Sequence, residues 1–381
     1  MQDFNIWLKK NNAIGNSLNF KEYTKTMRGV YSTENIQKGS SVMRVPLTMI
    51  IHSNMVQKKS LTIKKLKQQE ISFISPEHVY ITIYIIETFD DPTNFFYPYY
   101  KILPTHLNNI PLFWDKDELA ELDGSYFLKL INNKTNKLQK EYNKIVEGVP
   151  YFENLANFNK YKYIRLLVAS RNFTLKINNE RVNAMVPWAD MLNHRYPPQT
   201  NWGYRDGFFF LDANEDINPN IEIMDSYGLK TNALYLLHYG FTVDLNDERE
   251  KDSVTIKINS QEITLSLPIN NYTLQDLLNT GLKTTSTHKN GDKRRLYNIN
   301  KVLISLLDKY KTTYKRDITL INSKTLDRFS NKYNSLIVIS SEKNIIQNYI
   351  EGIFKIIEYI DLSPEQRILD SAYLINYFNS R

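Results

Sequence analysis

At 381 residues the chain is long enough for two domains, and 42% hydrophobic with 23% charged residues is the balance of a folded protein rather than a disordered one. No apolar run approaches the roughly 18 residues that cross a bilayer, and the absence of cysteine excludes disulfides, thiolate zinc sites and cysteine nucleophiles. The net charge of +7 sits in clusters such as Lys58-Lys59, Lys64-Lys65-Lys67 and Lys293-Arg294-Arg295, without the recognition motif or exposed aromatics that would make a nucleic-acid partner the favoured reading.

The first residues lack the continuous apolar core of a secretory signal. Phe4, Trp7 and Leu8 fall at i, i+3 and i+4, which predicts a short amphipathic helix belonging to the fold. A mitochondrial presequence fits less well, because Asp3 is early and the first turns have no arginine; an intracellular location is expected, cytoplasmic or nuclear before mitochondrial. Gly29-Val30-Tyr31-Ser32 reads as a strand, Gln37-Lys38-Gly39-Ser40 as a turn, and Val42-Met43-Arg44-Val45 as a strand ended by Pro46.

From about Pro76 to Tyr163 the pattern is helical: Ile81, Tyr84 and Ile85 share a face, and Glu118 to Glu147 is a long periodic stretch. Between them lies an aromatic, proline-bounded run, Phe96-Tyr97-Pro98-Tyr99-Tyr100-Lys101-Ile102-Leu103-Pro104. Strands return at Ala184-Met185-Val186 and Gly207 to Leu211, and Val254 to Leu267 reads as a hairpin turning near Asn259-Ser260. Beyond Thr273 the chain is expected to be helical to its end, with one stripe at Ile299, Val302, Leu303, Leu306 and Leu307 and another at Ile346, Tyr349, Ile350, Ile353 and Ile357.

Two short segments carry the most information. Val186 to Leu192 is an apolar run closed by Asn193-His194; about one hairpin later come Asp225-Ser226-Tyr227-Gly228 and then Leu237-His238-Tyr239-Gly240-Phe241. Together they resemble the C-terminal half of SET-domain methyltransferases, in the spelling of the Rubisco large-subunit lysine and actin-histidine methyltransferase subfamily. The run at 96–104 is similar to that subfamily's "PY…LP" element, and Ser170-Arg171-Asn172-Phe173 to its "SR-x-F" element.

The resemblance implies an α+β SET fold, with small β-sheets and a pseudoknot, carrying a helical insert and followed by an all-α C-terminal domain. The expected division is 1–245 for the SET domain with the insert at about 76–165, 246–270 for a hairpin connector, and 271–381 for a helical, substrate-binding-like domain. It also implies S-adenosylmethionine as cofactor and a protein substrate, a lysine of a non-histone protein before a histidine. A catalytically silent scaffold, serving as a subunit of a larger assembly, is the alternative from another class. No metal and no membrane partner are expected.

By the same resemblance Tyr227 is the catalytic tyrosine whose hydroxyl faces the methyl group. Thr26, Met27, Arg28, Gly29, Arg171, Asn193, His194, Tyr239 and Phe241 are the cofactor-binding residues. Asp190, Trp202 and Tyr239 are the substrate-binding ones, with Asp190 either meeting the substrate or buttressing the knot. The chemistry asks for no metal and no covalent intermediate. Methyl transfer to nitrogen is an in-line displacement that needs a neutral amine, and a lysine of pKa about 10.4 costs roughly 4 to 5 kcal/mol to neutralise at pH 7. An aromatic channel lowers that cost by desolvation, and holding donor and acceptor in line supplies much of the remaining rate.

Two stretches depart from the subfamily pattern. The first cofactor loop, Gly-x-Gly in most relatives, here reads Thr26-Met27-Arg28-Gly29-Val30 and keeps one glycine. The turn before the last strand is Asn218-Pro219-Asn220-Ile221-Glu222, in which asparagine must supply the positive φ that glycine otherwise gives.

Overall fold

The N-terminal helix Gln2–Lys10 buries Phe4, Trp7 and Leu8, as its spacing predicts. The computed structural model describes residues 2–15, 18–22, 28–243, 252–258, 261–267, 269, 302–310, 317–322 and 326–361. These divide into two compact units, Met1–Leu107 with Lys134–Leu229, and Asn108–Asn133 with Lys230–Arg381.

The first unit is built on three small sheets. One joins β1 (Leu18–Glu22), β2 (Arg28–Ser32), β10 (Glu222–Asp225) and β7 (Asn193–His194), in that order across the sheet. Another joins β3 (Ser41–Pro46), β9 (Phe208–Ala213) and β8 (Thr200–Arg205), and the third joins β4 (Ile51–His52), β6 (Glu180–Met185) and β5 (Asn172–Ile177). Their turns follow from their residues. Asn178-Asn179 and Asp206-Gly207 each place two consecutive residues at positive φ, the twist a two-residue hairpin requires and one that asparagine, aspartate and glycine tolerate. Asn220 does the same at φ 63, so the turn before β10 survives without glycine.

The expected insert is helical: Pro76–Thr88, Tyr97–Tyr100, Lys116–Ala120, Phe127–Gly148, Phe152–Leu155 and Phe158–Ser170. Pro76–Thr88 is apolar almost all round and buries every residue from Val79 to Ile86, as a core helix should. Strand β1 and the helices Ser53–Lys59 and Leu61–Gln68 escape the sequence reading, because each is short and mostly polar.

In the second unit β11 (Ser253–Ile258) and β12 (Gln261–Ser266) form the expected hairpin; its turn, at Asn259-Ser260, lies outside the described residues. Its inner residues Val254, Ile256, Ile263 and Leu265 pack with Val302, Leu303 and Leu306 of helix 302–310 and with Ile346, Tyr349, Ile350 and Ile353 of the long helix Asn331–Asp361. Leu307 and Ile357 join this core from the expected stripes, while Ile299 lies outside the described residues. The helical reading of 271–301 and 362–381 also falls outside them.

Candidate active site

Strand β10 lies between β2 and β7. It runs antiparallel to β2, with Ile223 opposite Val30, and parallel to β7, with Met224 opposite Asn193 and Asp225 opposite His194. The chain leaving β10 then folds back over β7. The Tyr227 backbone N–H donates to His194 Nδ1 at 3.0 Å, and its hydroxyl donates to the Leu192 carbonyl at 2.6 Å. The phenol ring stacks on the imidazole with centroids 5.3 Å apart and planes at 28°. Because Nδ1 accepts, a neutral His194 carries its proton on Nε2. Tyr227 and Asn193-His194, widely separated in sequence, are thus locked into one group.

Asn193 ties this group to β2. Its side-chain amide donates to the Arg28 carbonyl at 3.0 Å and to Glu222 Oε1 at 2.6 Å. A side chain on Gly29 would place its Cβ 2.2 Å from that same carboxylate oxygen. The glycine retained in the first loop therefore makes room for the Glu222–Asn193 contact. Thr26 and Met27 lie outside the described residues.

Beside this group is a buried charge cluster. The Asp190 side chain is fully buried; its Oδ2 accepts from the Tyr99 hydroxyl at 2.7 Å and from Arg171 Nη1 at 3.3 Å. Arg171 Nη1 also donates to the Asp190 carbonyl at 2.6 Å. Arg28, mostly buried, donates to the Ile102 carbonyl and feels both Arg171 and Asp190. Burial pushes the Asp190 carboxyl above its ordinary value, while Arg171, the Tyr99 hydroxyl and Arg28 pull it back. Burial lowers Arg28, and the neighbouring Arg171 lowers it further. Guanidinium groups stay protonated, and both meet the buried Asp190, while Glu22, opposite Arg28 across the β1–β2 pairing, acts on Arg28 from the exposed side.

Two features suit an amino-acid ligand. Arg171 bonds only through Nη1 among the described residues, which leaves other N–H groups to donate. Asp190 Oδ1 is buried with no hydrogen-bond partner among them. A donating cation beside an acceptor oxygen complements the carboxylate and ammonium of an α-amino acid, the end group that S-adenosylmethionine carries. The donor set therefore fits the cofactor expected from the sequence.

The structure places the other expected site residues as follows. Asp190 is fully buried, where its carboxylate and its backbone carbonyl both hold Arg171. Trp202 of β8 reaches the two neighbouring sheets, donating to Asp225 of β10 and packing edge-on to Phe173 of β5 with centroids 5.2 Å apart. Tyr239 and Phe241 belong to the second unit, where the helix Asn232–Tyr239 ends at Gly240 (φ 79) and both rings gather with Tyr235, Phe241 stacking on it at 5.3 Å. Tyr99 and Glu222 are absent from the sequence-based set, although each holds a member of it.

The segment Val186 to Leu192 reaches its place through a strained turn. Trp188 has φ 81 and ψ −53, a conformation worth about 1–3 kcal/mol of strain for a residue with a side chain. The surroundings enforce it: the buried indole occupies the space a Cβ on Gly15 would fill, at 2.1 Å, and the Asp190 N–H reaches the Val186 carbonyl at 3.0 Å.

The SET-domain family matches residues 27–228, more than half of the chain. This chain belongs to the SET-domain family. Its similar proteins include the actin-histidine N-methyltransferase of Canis lupus familiaris, 21% identical over 67% of this chain and 44% of that protein. They also include the N-lysine methyltransferase setd6 of Danio rerio, 23% identical over 58% and 52% respectively. The chain spans about half the length of the curated relatives it matches. Among solved structures, the SET domain of LSMT bound to lysine and AdoHcy superposes with a TM-score of 0.76 at 17% identity, covering 94% of this chain and 92% of that one. Rubisco LSMT bound to AdoMet gives 0.74 at 17% identity, over 97% and 95%. The fold of this SET-family chain is therefore the expected α+β one, with small sheets, a helical insert and a helical C-terminal region.

Proposed function

We propose that the chain is an S-adenosylmethionine-dependent protein methyltransferase whose acceptor is the side-chain amine of a lysine in a non-histone protein. The observation that carries this reading is Arg171 held on Asp190 with N–H groups left to donate, beside a tyrosine held on Leu192 and His194. Arg171, with Asp190 behind it, would take the amino-acid end of the cofactor, and Asn193 and His194 the neighbouring part. Bound there, the sulfonium supplies an electrophilic methyl group.

The chain's own residues then have three tasks. Tyr227 presents its phenolic oxygen where the acceptor nitrogen arrives, held by the Leu192 carbonyl so that little reorganisation is needed. Asn193 and Glu222 keep β2, β7 and β10 in register beneath it. A poorly solvated acceptor channel would favour the neutral amine, offsetting part of the roughly 4 to 5 kcal/mol of deprotonation. Lysine as acceptor draws support from the lysine-directed relatives and from the solved neighbours bound to lysine and methyllysine. Histidine is the second reading, favoured by the actin-histidine relatives.

The test is purified protein with labelled S-adenosylmethionine and cell extract, followed by mass spectrometry of the modified peptide. Label on a lysine, lost with Tyr227→Phe, is the expected result. Label on histidine would move the proposal to the second reading, and no cofactor binding by calorimetry would leave the silent scaffold.

A further inference from the structure

Neither guanidinium of the cluster sets its own direction. Arg28 is held by the Ile102 carbonyl, and Arg171 by Asp190, which is itself held by Tyr99. Tyr99 and Ile102 lie three residues apart in the insert, so one turn of chain governs both cations.

The Tyr99 ring is fully buried, packed on Phe4 and Tyr100 with centroids at 6.4 Å and 6.1 Å, and cannot reach a ligand in the site. Its hydroxyl shares Asp190 Oδ2 with Arg171. That sharing matters because a carboxylate and a guanidinium otherwise close into a two-pronged pair, which consumes two of the arginine's N–H groups. Here the contact to the carboxylate stays single and long, at 3.3 Å, while the shorter bond goes to the backbone carbonyl at 2.6 Å.

We propose that Tyr99 is a positioning residue for ligand binding: by holding Asp190 Oδ2 it fixes the carboxylate in the orientation in which Arg171 meets it through Nη1 alone, and so leaves the remaining guanidinium N–H groups for the carboxylate of the cofactor's amino-acid end. This rests on the methyltransferase reading above. Tyr99 touches no reacting atom; it acts through Asp190 and Arg171. A tyrosine that merely satisfied its hydroxyl in the core would affect every ligand of the site alike, whereas this role discriminates between ligands with and without the amino-acid group.

The test compares two thioether nucleosides by calorimetry on the full chain: S-adenosylhomocysteine, which carries the amino-acid group, and methylthioadenosine, which lacks it. In Tyr99→Phe the first is expected to weaken about ten- to a hundredfold, the scale of a lost charge-assisted contact, while the second changes by less than about twofold. Tyr99→Leu, which also lacks the donor, should show the same selectivity if the phenylalanine variant folds poorly. Equal weakening of both ligands, or of neither, would overturn the proposal while leaving the methyltransferase reading standing. Wild-type protein that binds neither nucleoside would sink both.

Discussion

Asp225 offers a quantitative test of how the site strand is assembled. It ends β10, two residues before Tyr227; its carbonyl accepts from the Arg195 N–H at 2.8 Å and the residue is buried. Burial pushes its carboxyl from 3.8 up to about 6, although the Ser226 N–H, the Thr200 hydroxyl and Trp202 donate to it and work the other way. At about 1.4 kcal/mol per pH unit this rise corresponds to roughly 3 kcal/mol. The sign follows from proton counting. Between about pH 4 and 6 the folded chain holds a proton that the unfolded chain has released, so stability falls as pH rises through that window; above about 6 the whole deficit is in force.

Asp225→Asn removes the ionisation. Its single amide oxygen satisfies fewer donors, a pH-independent loss of about 1–3 kcal/mol. Thermal melts of both proteins from pH 4 to 8 should therefore diverge: the variant gains about 3 kcal/mol relative to wild type between pH 4 and 6, about 6–12 °C in Tm for a domain of this size, and the difference is flat above 6. Two melting curves that stay parallel across the window would refute the reasoning, because they would mean that Asp225 ionises without penalty.

Other perturbations separate the parts of the site. Tyr227→Phe removes the bond to the Leu192 carbonyl, so melting should show a loss of only about 1 kcal/mol while methyl transfer falls at least tenfold. Gly29→Ala forces a Cβ against Glu222 Oε1 and breaks the Asn193 contact, costing about 1–3 kcal/mol; adding Glu222→Ala should restore part of the lost Tm. In the insert, Arg165 pairs with Glu141 at 3.1 Å, both nearly buried, and Tyr161 donates to the same carboxylate oxygen. Arg165→Met should cost about 3–5 kcal/mol in denaturant titrations, and Glu141→Leu on top should recover much of it. The same Arg165 change should raise the titration point of His78 by NMR, since burial first and Arg165 second hold it down at about 4.

How far the sequence could be read depended on the distance over which each residue acts. The Phe4, Trp7, Leu8 spacing acts within one turn and was legible, whereas Gly207, read as the start of a strand, belongs to the turn before it. Asn193-His194 and Tyr227 were legible because a family spelling ties them together, although their hydrogen bonds span 33 and 35 positions. Tyr99 was hidden: it sits in a run of five aromatics, and nothing local marks which one meets Asp190, 91 positions away. Glu222 was hidden for the same reason, and the purpose of Gly29 with it. Gly29, expected from the resemblance to bind the cofactor, also leaves room for a carboxylate of its own chain. Asp190 was legible as a site residue, but its pairing with Arg171, 19 positions away, was not.

The pairing of β2 with β10, and of Arg28 with Asn193 across 165 positions, also sets an order of events during synthesis. While the ribosome is still making the insert, β1 and β2 form at most a two-stranded ribbon, too small to persist in water on its own. Its third strand emerges only with residues 222–225, when the first unit is nearly finished. A nascent chain that stops before residue 222 would thus carry Arg28, Tyr99, Arg171 and Asp190 but not Tyr227, so the site is completed in one late step rather than by degrees.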